Sequence, residues 1–233
     1  MKARLLFTLF FASLALDLAL AWPTLDWRIL PAALVGWYAA DLTSGLVHMY
    51  MDYRPCRPGT GLHELYFWEG ARDSAAFLTL QAQVYSRISA FERIVYDFKK
   101  HHPFPDLLGR HPFWHLAKGP VFVVVLPVSV ALSVLFVLTH PPGWLLVGFV
   151  VFLLGAGTTQ AFHGTLHKTE VGPVIATMRR LGLAMSARAH KLHHDTLTQD
   201  FAVINGWSNP VVNFCASTLL RTGLLREEGL EPT

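Results

Sequence analysis

The chain has 233 residues, of which 52 % are hydrophobic and 15 % are charged. Soluble domains carry about 25 % charged residues, so this composition argues against a soluble globule and for a membrane protein. The formal net charge of +3, without a dense Lys/Arg tract, excludes a nucleic-acid partner. Cys56 and Cys215 lie far apart, and form neither a CxxC motif nor a disulfide framework.

Four apolar segments approach the length of about 20 residues that a helix needs to cross a bilayer. In chain order they are residues 5–21, 30–51, 119–139 and 143–162. The first has a second interpretation as a signal peptide, because Lys2 and Arg4 precede it and Ala19-Leu20-Ala21 resembles a cleavage site. Asp17 and Trp22 fit that interpretation poorly.

The remaining segments are too polar or too short to span. Residues 74–97 predict an amphipathic helix on the membrane surface, residues 172–185 another helix, and residues 203–220 a segment docked at the interface. We therefore predict an all-α integral membrane helical bundle with about four transmembrane helices. Cytosolic and interfacial helices carry a histidine cluster, and residues 1–233 form a single membrane-embedded domain.

Charge predicts the sidedness of this bundle. With the N-terminus inside, every one of the 19 Lys and Arg residues except Arg28 falls on the inner side. That asymmetry agrees with the positive-inside rule. The same topology gathers the clustered histidines on the cytosolic side and leaves His140 alone outside. A bacterial inner membrane is the first expectation for location, and the endoplasmic reticulum the second.

Nine histidines in five short clusters indicate a metal centre, because neutral imidazole is the commonest metal ligand. One ion cannot use nine donors, so the count predicts two metal ions. The predicted ligands are His48, His101, His102, His111, His163, His167, His190, His193 and His194. No catalytic side chain is predicted beyond these ligands.

Two of the clusters have helical spacing. His163 and His167 form an HxxxH motif, and residues four apart share one helix face, so the pair can grip one ion. His190, His193 and His194 form an HxxHH motif. Since His193 and His194 diverge by one helical step, this triplet can serve two neighbouring ions.

The other clusters are less regular. His101 and His102 are adjacent, which suits a turn or two ligands facing different ions, and His111 follows in a loop that could fold back. His48 and Asp52 are again four residues apart. Possible ligands or orienting partners among the carboxylates are Asp52, Asp41, Asp195 and Asp200.

Histidine-rich sites suit zinc, iron, copper or nickel. A structural zinc site usually includes cysteine, and the clusters contain none. Two irons with dioxygen as co-substrate explain the doubled ligand supply better, and they would oxidise an unactivated C–H bond of a membrane lipid. Two rivals remain open: a lipid or sterol hydroxylase, and a non-catalytic metal-binding or signalling membrane protein.

At these residues the chain resembles the plasmanylethanolamine desaturase family, or CarF-like lipid desaturases. The similarity runs through Asp41-Leu-Thr-Ser-Gly-Leu-Val-His48 with Asp52, then the histidine clusters in order, then Gly206-Trp207-Ser-Asn209. No single piece is specific, but the ordered set is. One departure is Thr198, where the family usually carries a further histidine, and that departure is the best support for a non-catalytic protein.

The resemblance implies an iron- and oxygen-dependent lipid desaturase. In the plasmanyl branch of the family, a 1-O-alkyl phospholipid becomes a vinyl ether, which is plasmalogen formation. Such an enzyme needs an external electron donor, which we expect to be cytochrome b5-like or ferredoxin-like.

Overall fold

The structure is a computed structural model that describes residues 2–232, and all regular secondary structure in that range is helical. The predicted all-α class is confirmed. The helices are α1 (Lys2–Ala21), α2 (Ile29–Tyr53), α3 (Leu62–Tyr66), α4 (Ala75–Arg87), α5 (Ala90–Lys100), α6 (Pro105–Gly109), α7 (Phe113–Pro120), α8 (Leu126–Thr139), α9 (Gly143–Leu166), α10 (Pro173–Arg180), α11 (Ala187–Thr196) and α12 (Asn209–Arg221). A π-helical turn, Val121–Val125, joins α7 to α8.

Three helical stretches within residues 2–232 are long and apolar enough to cross a membrane: Arg4–Thr24, Phe113–Thr139 and Gly143–Leu166. The third predicted span thus begins at Phe113 rather than residue 119, because the π turn continues α7 into α8. Helix α2 has 25 residues, and buried polar side chains lower its hydropathy. Its role as a fourth span stays a prediction.

Helices α2 and α9 pack closely through small residues. A Cβ added to Gly36 would lie 2.2 Å from the carbonyl oxygen of Gly148, and one on Gly155 would lie 2.6 Å from the Cβ of Ala40. Small residues allow membrane helices to approach at backbone distance. This contact brings the C-terminal ends of α2 and α9 together and places the rings of His48 and His163 4.9 Å apart.

The first helix is built into the bundle by a buried polar contact. The hydroxyl of Ser129 donates to Asp17 at 2.7 Å, and that of Ser133 donates to the same carboxylate at 2.5 Å. Phe10 and Leu14 of α1 are also buried. The pairing of Asp17 gives a reason for a carboxylate in an apolar segment, and it favours a spanning helix over a signal peptide.

The predicted surface helix over residues 74–97 is wrong in one respect, because it is two helices. A capping box starts α5: the Ser89 hydroxyl accepts from the backbone of Glu92, whose carboxylate accepts from the Ser89 backbone. Each cap satisfies free N–H groups at the helix start. Lys99 is fully buried in α5 and donates to the backbone carbonyls of Asp52 and Gly229. This lysine fixes the end of α5 against the end of α2.

Candidate metal centre

Five of the predicted ligands converge in one place, which we call the five-histidine group. One ligand atom from each lies within 4.8 Å of every other, and the members are His101, His163, His167, His190 and His194. They come from the end of α5, from α9 and from α11. The Nε2 atoms of His163 and His190 face each other at 3.1 Å. Two imidazole lone pairs at that distance require a shared proton or a shared cation.

A second set adjoins the first, and we call it the histidine–carboxylate group. Its members are His48, Asp52, His102 and His193, with one ligand atom each within the same 4.8 Å limit. One oxygen of Asp52 lies 3.0 Å from His102 Nε2, and the other lies 3.4 Å from His48 Nε2 and 3.3 Å from His193 Nε2. Asp52 is therefore at the middle of this group.

Helical geometry distributes the clusters between the two groups. His163 and His167 share a face of α9 and both join the five-histidine group. On α11, His190 and His194 point to that same group, whereas His193, one residue before His194, points to the other. The adjacent pair His101 and His102 divides in the same way, because neighbouring side chains diverge at a turn.

Backbone carbonyls orient three of the rings. His48 Nδ1 donates to the carbonyl of Phe201 at 2.8 Å, and His193 Nδ1 donates to that of Gln199 at 2.9 Å. His101 Nδ1 likewise contacts the carbonyl of Phe98. Each bond places the hydrogen on Nδ1 and leaves Nε2 free as a lone-pair donor. Sequence reasoning missed these partners, since any residue type can supply a carbonyl.

Asp41 belongs to neither ligand group and forms no hydrogen bond with a ligand histidine, which corrects its prediction as a possible metal ligand. It accepts the N–H groups of four loop residues and the hydroxyl of Ser208, at distances from 2.7 to 3.2 Å. The four donors are Ile204, Asn205, Gly206 and Ser208. The following Ser44 accepts from the Val203 backbone, and a Cβ on Gly45 would lie 3.2 Å from the Ala202 nitrogen. These α2 residues hold the loop whose carbonyls orient His48 and His193.

Four further residues lie away from both groups. His111 is exposed and stacks on His115 at 4.6 Å between ring centroids, because α6 ends at Gly109 and the chain turns outward. Asp195 is exposed and pairs with Lys191 at 2.7 Å. Asp200 bonds Asn213 through its backbone and its carboxylate. Thr198 lies in the bend after α11 ends, outside both groups.

Burial keeps four of the ligand histidines neutral. It lowers the pKa of His167 to about 4 and that of His194 to about 3, with neighbouring histidines adding to both shifts. The pKa values of His101 and His190 are lowered for the same reasons. Neutral imidazoles retain the lone pair that a metal ion needs.

The unpaired atoms fit bound cations. Each of the nine group members has one buried side-chain nitrogen or oxygen that finds no hydrogen-bond partner among residues 2–232. Buried polar atoms without a partner cost about 1–3 kcal/mol each, and nine in one cluster call for a compensating ion. Five nitrogens in one group and three nitrogens with a carboxylate in the other suit two metal ions.

Two cavities reach this centre from different sides. The first, which we call the lysine-rimmed cavity, has a volume of about 420 Å³ and includes His101 and His163 in its lining, with Lys100 and Lys118 at its rim. The second, the glutamate-rimmed cavity, has a volume of about 800 Å³ and includes His102 in its lining. Its acidic residues are Glu64, Glu227, Glu228 and Glu231.

Comparison with known proteins shows the family to which the chain belongs. Residues 86–219, more than half of the chain, match the family described as the lipid desaturase domain. The chain belongs to the lipid desaturase family. The match contains every member of the five-histidine group, whereas His48 and Asp52 of the other group lie before it.

A curated relative of this lipid desaturase family member is plasmanylethanolamine desaturase from Myxococcus xanthus. It is 23 % identical over 188 residues, which cover 78 % of this chain and 55 % of that protein. The chain therefore spans about half the length of this curated relative. No solved structure matches the chain.

Proposed function

We propose that residues 1–233 form one membrane-embedded, di-iron lipid desaturase domain that introduces a double bond into a lipid chain. The observation that carries this proposal is the pair of adjoining ligand groups, buried at the inner ends of α2 and α9 beside a cavity with apolar walls. The histidine–carboxylate group supplies the nitrogen and carboxylate donors that iron accepts in oxygenases.

The overall reaction balances with dioxygen and a two-electron donor. Two hydrogen atoms, which are two protons and two electrons, leave adjacent chain carbons. The donor supplies two further electrons, two protons come from water, and dioxygen becomes two waters. When bound, the irons would supply the oxidising power for removing hydrogen from an unactivated C–H bond. We expect the external donor to be cytochrome b5-like or ferredoxin-like.

The chain's own residues position the lipid and exclude water. Leu108 and Leu116 pack so closely on Gly164 that a Cβ there would lie 2.5 Å from the Leu116 Cδ1 atom. This contact covers the α9 turn that carries His163. Leucine walls beside the five-histidine group would hold an alkyl chain near the centre, and holding the reacting carbons in place lowers the barrier.

We further propose a 1-O-alkyl phospholipid as substrate and a vinyl ether as product, with the active site on the cytosolic side of a bacterial inner membrane. The name of the Myxococcus xanthus relative supports this choice of lipid. The location of all but one Lys and Arg on the predicted inner side supports the orientation.

Expression in cells that lack vinyl ethers tests the activity. With 1-O-alkyl phospholipid supplied, lipid mass spectrometry is expected to detect acid-labile vinyl ether with the native chain and none with His163→Ala. His140→Asn is the matched control, because His140 lies on the predicted outer side with φ 46°, a conformation that Asn tolerates. Hydroxylated lipid would instead identify a hydroxylase, and no lipid product together with less than one bound metal ion would favour a non-catalytic protein.

A further inference from the structure

The lysine-rimmed cavity contains both lysines and proposed metal ligands in one lining. Its lining contains His101 and His163 of the five-histidine group, and Lys100 is the residue just before His101. The apolar wall is formed by Ile94, Phe98, Leu107, Leu108 and Leu116. A volume of about 420 Å³ is within the usual range for small-molecule sites. It is far smaller than a whole membrane lipid, so only part of a lipid would occupy it.

The rim of this cavity is positively charged. Lys100 pairs with Asp97 at 2.7 Å, while Lys118 is exposed and lies 3.5 Å from His115 Nδ1. The two ammonium groups and the Asp97 carboxylate together contribute a formal charge of +1. A phosphate diester carries one negative charge, so the rim and the diester are complementary.

The cavity opens where a lipid can enter. Gly119 of α7 lines this cavity and is exposed, and a Cβ added to it would meet nothing within 4 Å, so no other part of the protein covers the cavity at this residue. Phe113 and Trp114 at the start of α7 are exposed, and aromatic rings of this kind mark the membrane interface. Lys118 lies on the same helix within its first turns, so its long side chain can extend toward the phospholipid headgroups.

We propose that the lysine-rimmed cavity binds the phosphate diester of a membrane phospholipid, with Lys118 as the main phosphate partner and Lys100 as the second. The glycerol and the first carbons of one chain then extend toward His101 and His163. This inference rests on the proposed lipid desaturase function. It adds that the phosphate diester is the part of the lipid that is recognised, and that Lys118 and Lys100 recognise it.

The position of the lysines also limits which bond is oxidised. Because Lys100 and Lys118 line the same small cavity as His101 and His163, the reacting carbons are only a few bonds from the phosphate. A bond in the middle of a chain would require a long apolar tunnel between the cations and the ligand groups. Carbons next to the glycerol backbone satisfy the geometry of this cavity.

Charge excludes the second cavity as the phosphate site. The glutamate-rimmed cavity also reaches the centre, through His102, but Glu64, Glu227, Glu228 and Glu231 stand at its edge. Like charges close together are unfavourable, so this edge would repel a phosphate diester. Of the two routes to the metal centre, only the one beside Lys100 and Lys118 has the charge for a phospholipid.

Binding of a labelled lipid tests the proposal without any reaction. The full-length chain, purified in a phosphate-free maltoside detergent, is titrated with a radiolabelled 1-O-alkyl phospholipid, without reductant and without oxygen. Competitors are unlabelled phospholipid, the matching 1-O-alkyl-2-acylglycerol without phosphate, and inorganic phosphate. The variants are Lys118→Gln, Lys100→Gln and the double variant. Lys191→Gln is the matched control, because it removes an exposed cation of α11 that lies outside this cavity.

We expect the native chain to prefer the phospholipid over the phosphate-free lipid by at least tenfold, since one charge-assisted hydrogen bond has about that effect. Lys118→Gln is expected to lose most of this preference and the double variant all of it, while Lys191→Gln keeps it. Asp97→Asn frees Lys100 from its partner and is expected to increase the preference. This gain is a result that a merely misfolded variant cannot give.

Three results would overturn the proposal: equal binding of the two lipids by the native chain, an unchanged preference in the folded double variant, or displacement by inorganic phosphate as effective as that by phospholipid. The last would identify a site for free anions. Failure of the desaturase proposal is a separate outcome, because vinyl ether formation can be absent while the phosphate preference persists.

Discussion

The two ligand groups differ in their donors, their supports and their surroundings. The five-histidine group offers neutral nitrogens and borders the lysine-rimmed cavity. The histidine–carboxylate group contains Asp52, has two rings fixed by the carbonyls of Gln199 and Phe201, and borders the glutamate-rimmed cavity through His102. One group therefore faces the side where the lipid is proposed to bind and has one ring, that of His101, held by a backbone carbonyl, whereas the other has two of its three rings held in this way.

This difference has consequences for tolerance to mutation. The five-histidine group offers five donors and the histidine–carboxylate group four, so the loss of one donor leaves four in the first group and three in the second. In addition, Asp52 contacts all three histidines of its own group. We expect each group to hold its ion with a different sensitivity, and the following variants separate them.

Loss of a ligand is expected to have the largest effect, and its effect on metal content is expected to be larger in the histidine–carboxylate group, which has fewer donors. Asp52→Ala leaves three imidazoles and removes the carboxylate that contacts all of them, so we expect it to lose one of two bound ions and at least about 100-fold in activity. His167→Ala leaves four donors, so we expect it to keep both ions. Metal analysis per purified chain measures the difference. Two ions in Asp52→Ala would show that the carboxylate is dispensable.

Removal of the Asp41 carboxylate is expected to loosen the loop that orients His48 and His193, and so to weaken metal binding by the histidine–carboxylate group. Asp41→Ala deprives four backbone N–H groups of their acceptor, at about 1–3 kcal/mol each, so we expect a loss of about 4 kcal/mol or more in unfolding free energy. A chelator is also expected to remove that group's ion faster. Unfolding in detergent and metal release provide the two measurements.

Asp195→Ala is the control for this variant, because Asp195 forms an exposed pair with Lys191 and contributes at most about 0.5 kcal/mol. If Asp41→Ala were as stable as Asp195→Ala, the loop would not depend on the Asp41 carboxylate.

A larger residue between α2 and α9 is expected to disturb both groups together. Gly155→Val places carbon within 2.6 Å of the Ala40 Cβ, so the helices must separate, at a cost of about 1–3 kcal/mol. Because α2 carries His48 and α9 carries His163, both ions are expected to leave more readily. Gly172→Ala is the control, since a Cβ there meets nothing within 4 Å. Selective loss of one ion would show that the packing of α2 on α9 does not support both ligand groups.

The smallest predicted effect concerns the loop after α11. The hydroxyl of Tyr53 donates to the carbonyl of Leu197 at 3.0 Å, so Tyr53→Phe is expected to cost about 1 kcal/mol. Metal affinity of the histidine–carboxylate group is expected to fall by no more than about tenfold. Tyr50→Phe, at an exposed position one turn earlier, is expected to change neither quantity. Equal effects of the two variants would show that the Tyr53 hydrogen bond does not stabilise the histidine–carboxylate group.

The sequence predicted the elements that depend on local periodicity. Hydropathy located three helices that can span, and residues four apart on a helix explain why His163 and His167 lie together. It did not predict that residues 74–97 break at Ser89, since a capping box can start a helix inside an amphipathic stretch. Helical spacing likewise says nothing about His111, whose position depends on how the loop after α6 folds.

Tertiary partners were beyond the reach of sequence reasoning. Asp41 was expected either to bind a metal ion or to orient a ligand histidine, but it binds a backbone loop distant in the chain. Lys99 carries no pattern that predicts full burial, because its partners are backbone carbonyls of Asp52 and Gly229. The charge of the lysine-rimmed cavity depends on tertiary packing, which places Lys100 of α5 and Lys118 of α7 in one lining.

The central claim is that the nine side chains hold two metal ions, one in each group. Anomalous X-ray diffraction from crystals of the iron-loaded protein, collected at the iron edge, tests it most directly. We predict two peaks, one surrounded by the five histidines and the other by His48, Asp52, His102 and His193. A single peak, or peaks away from these side chains, would contradict the account.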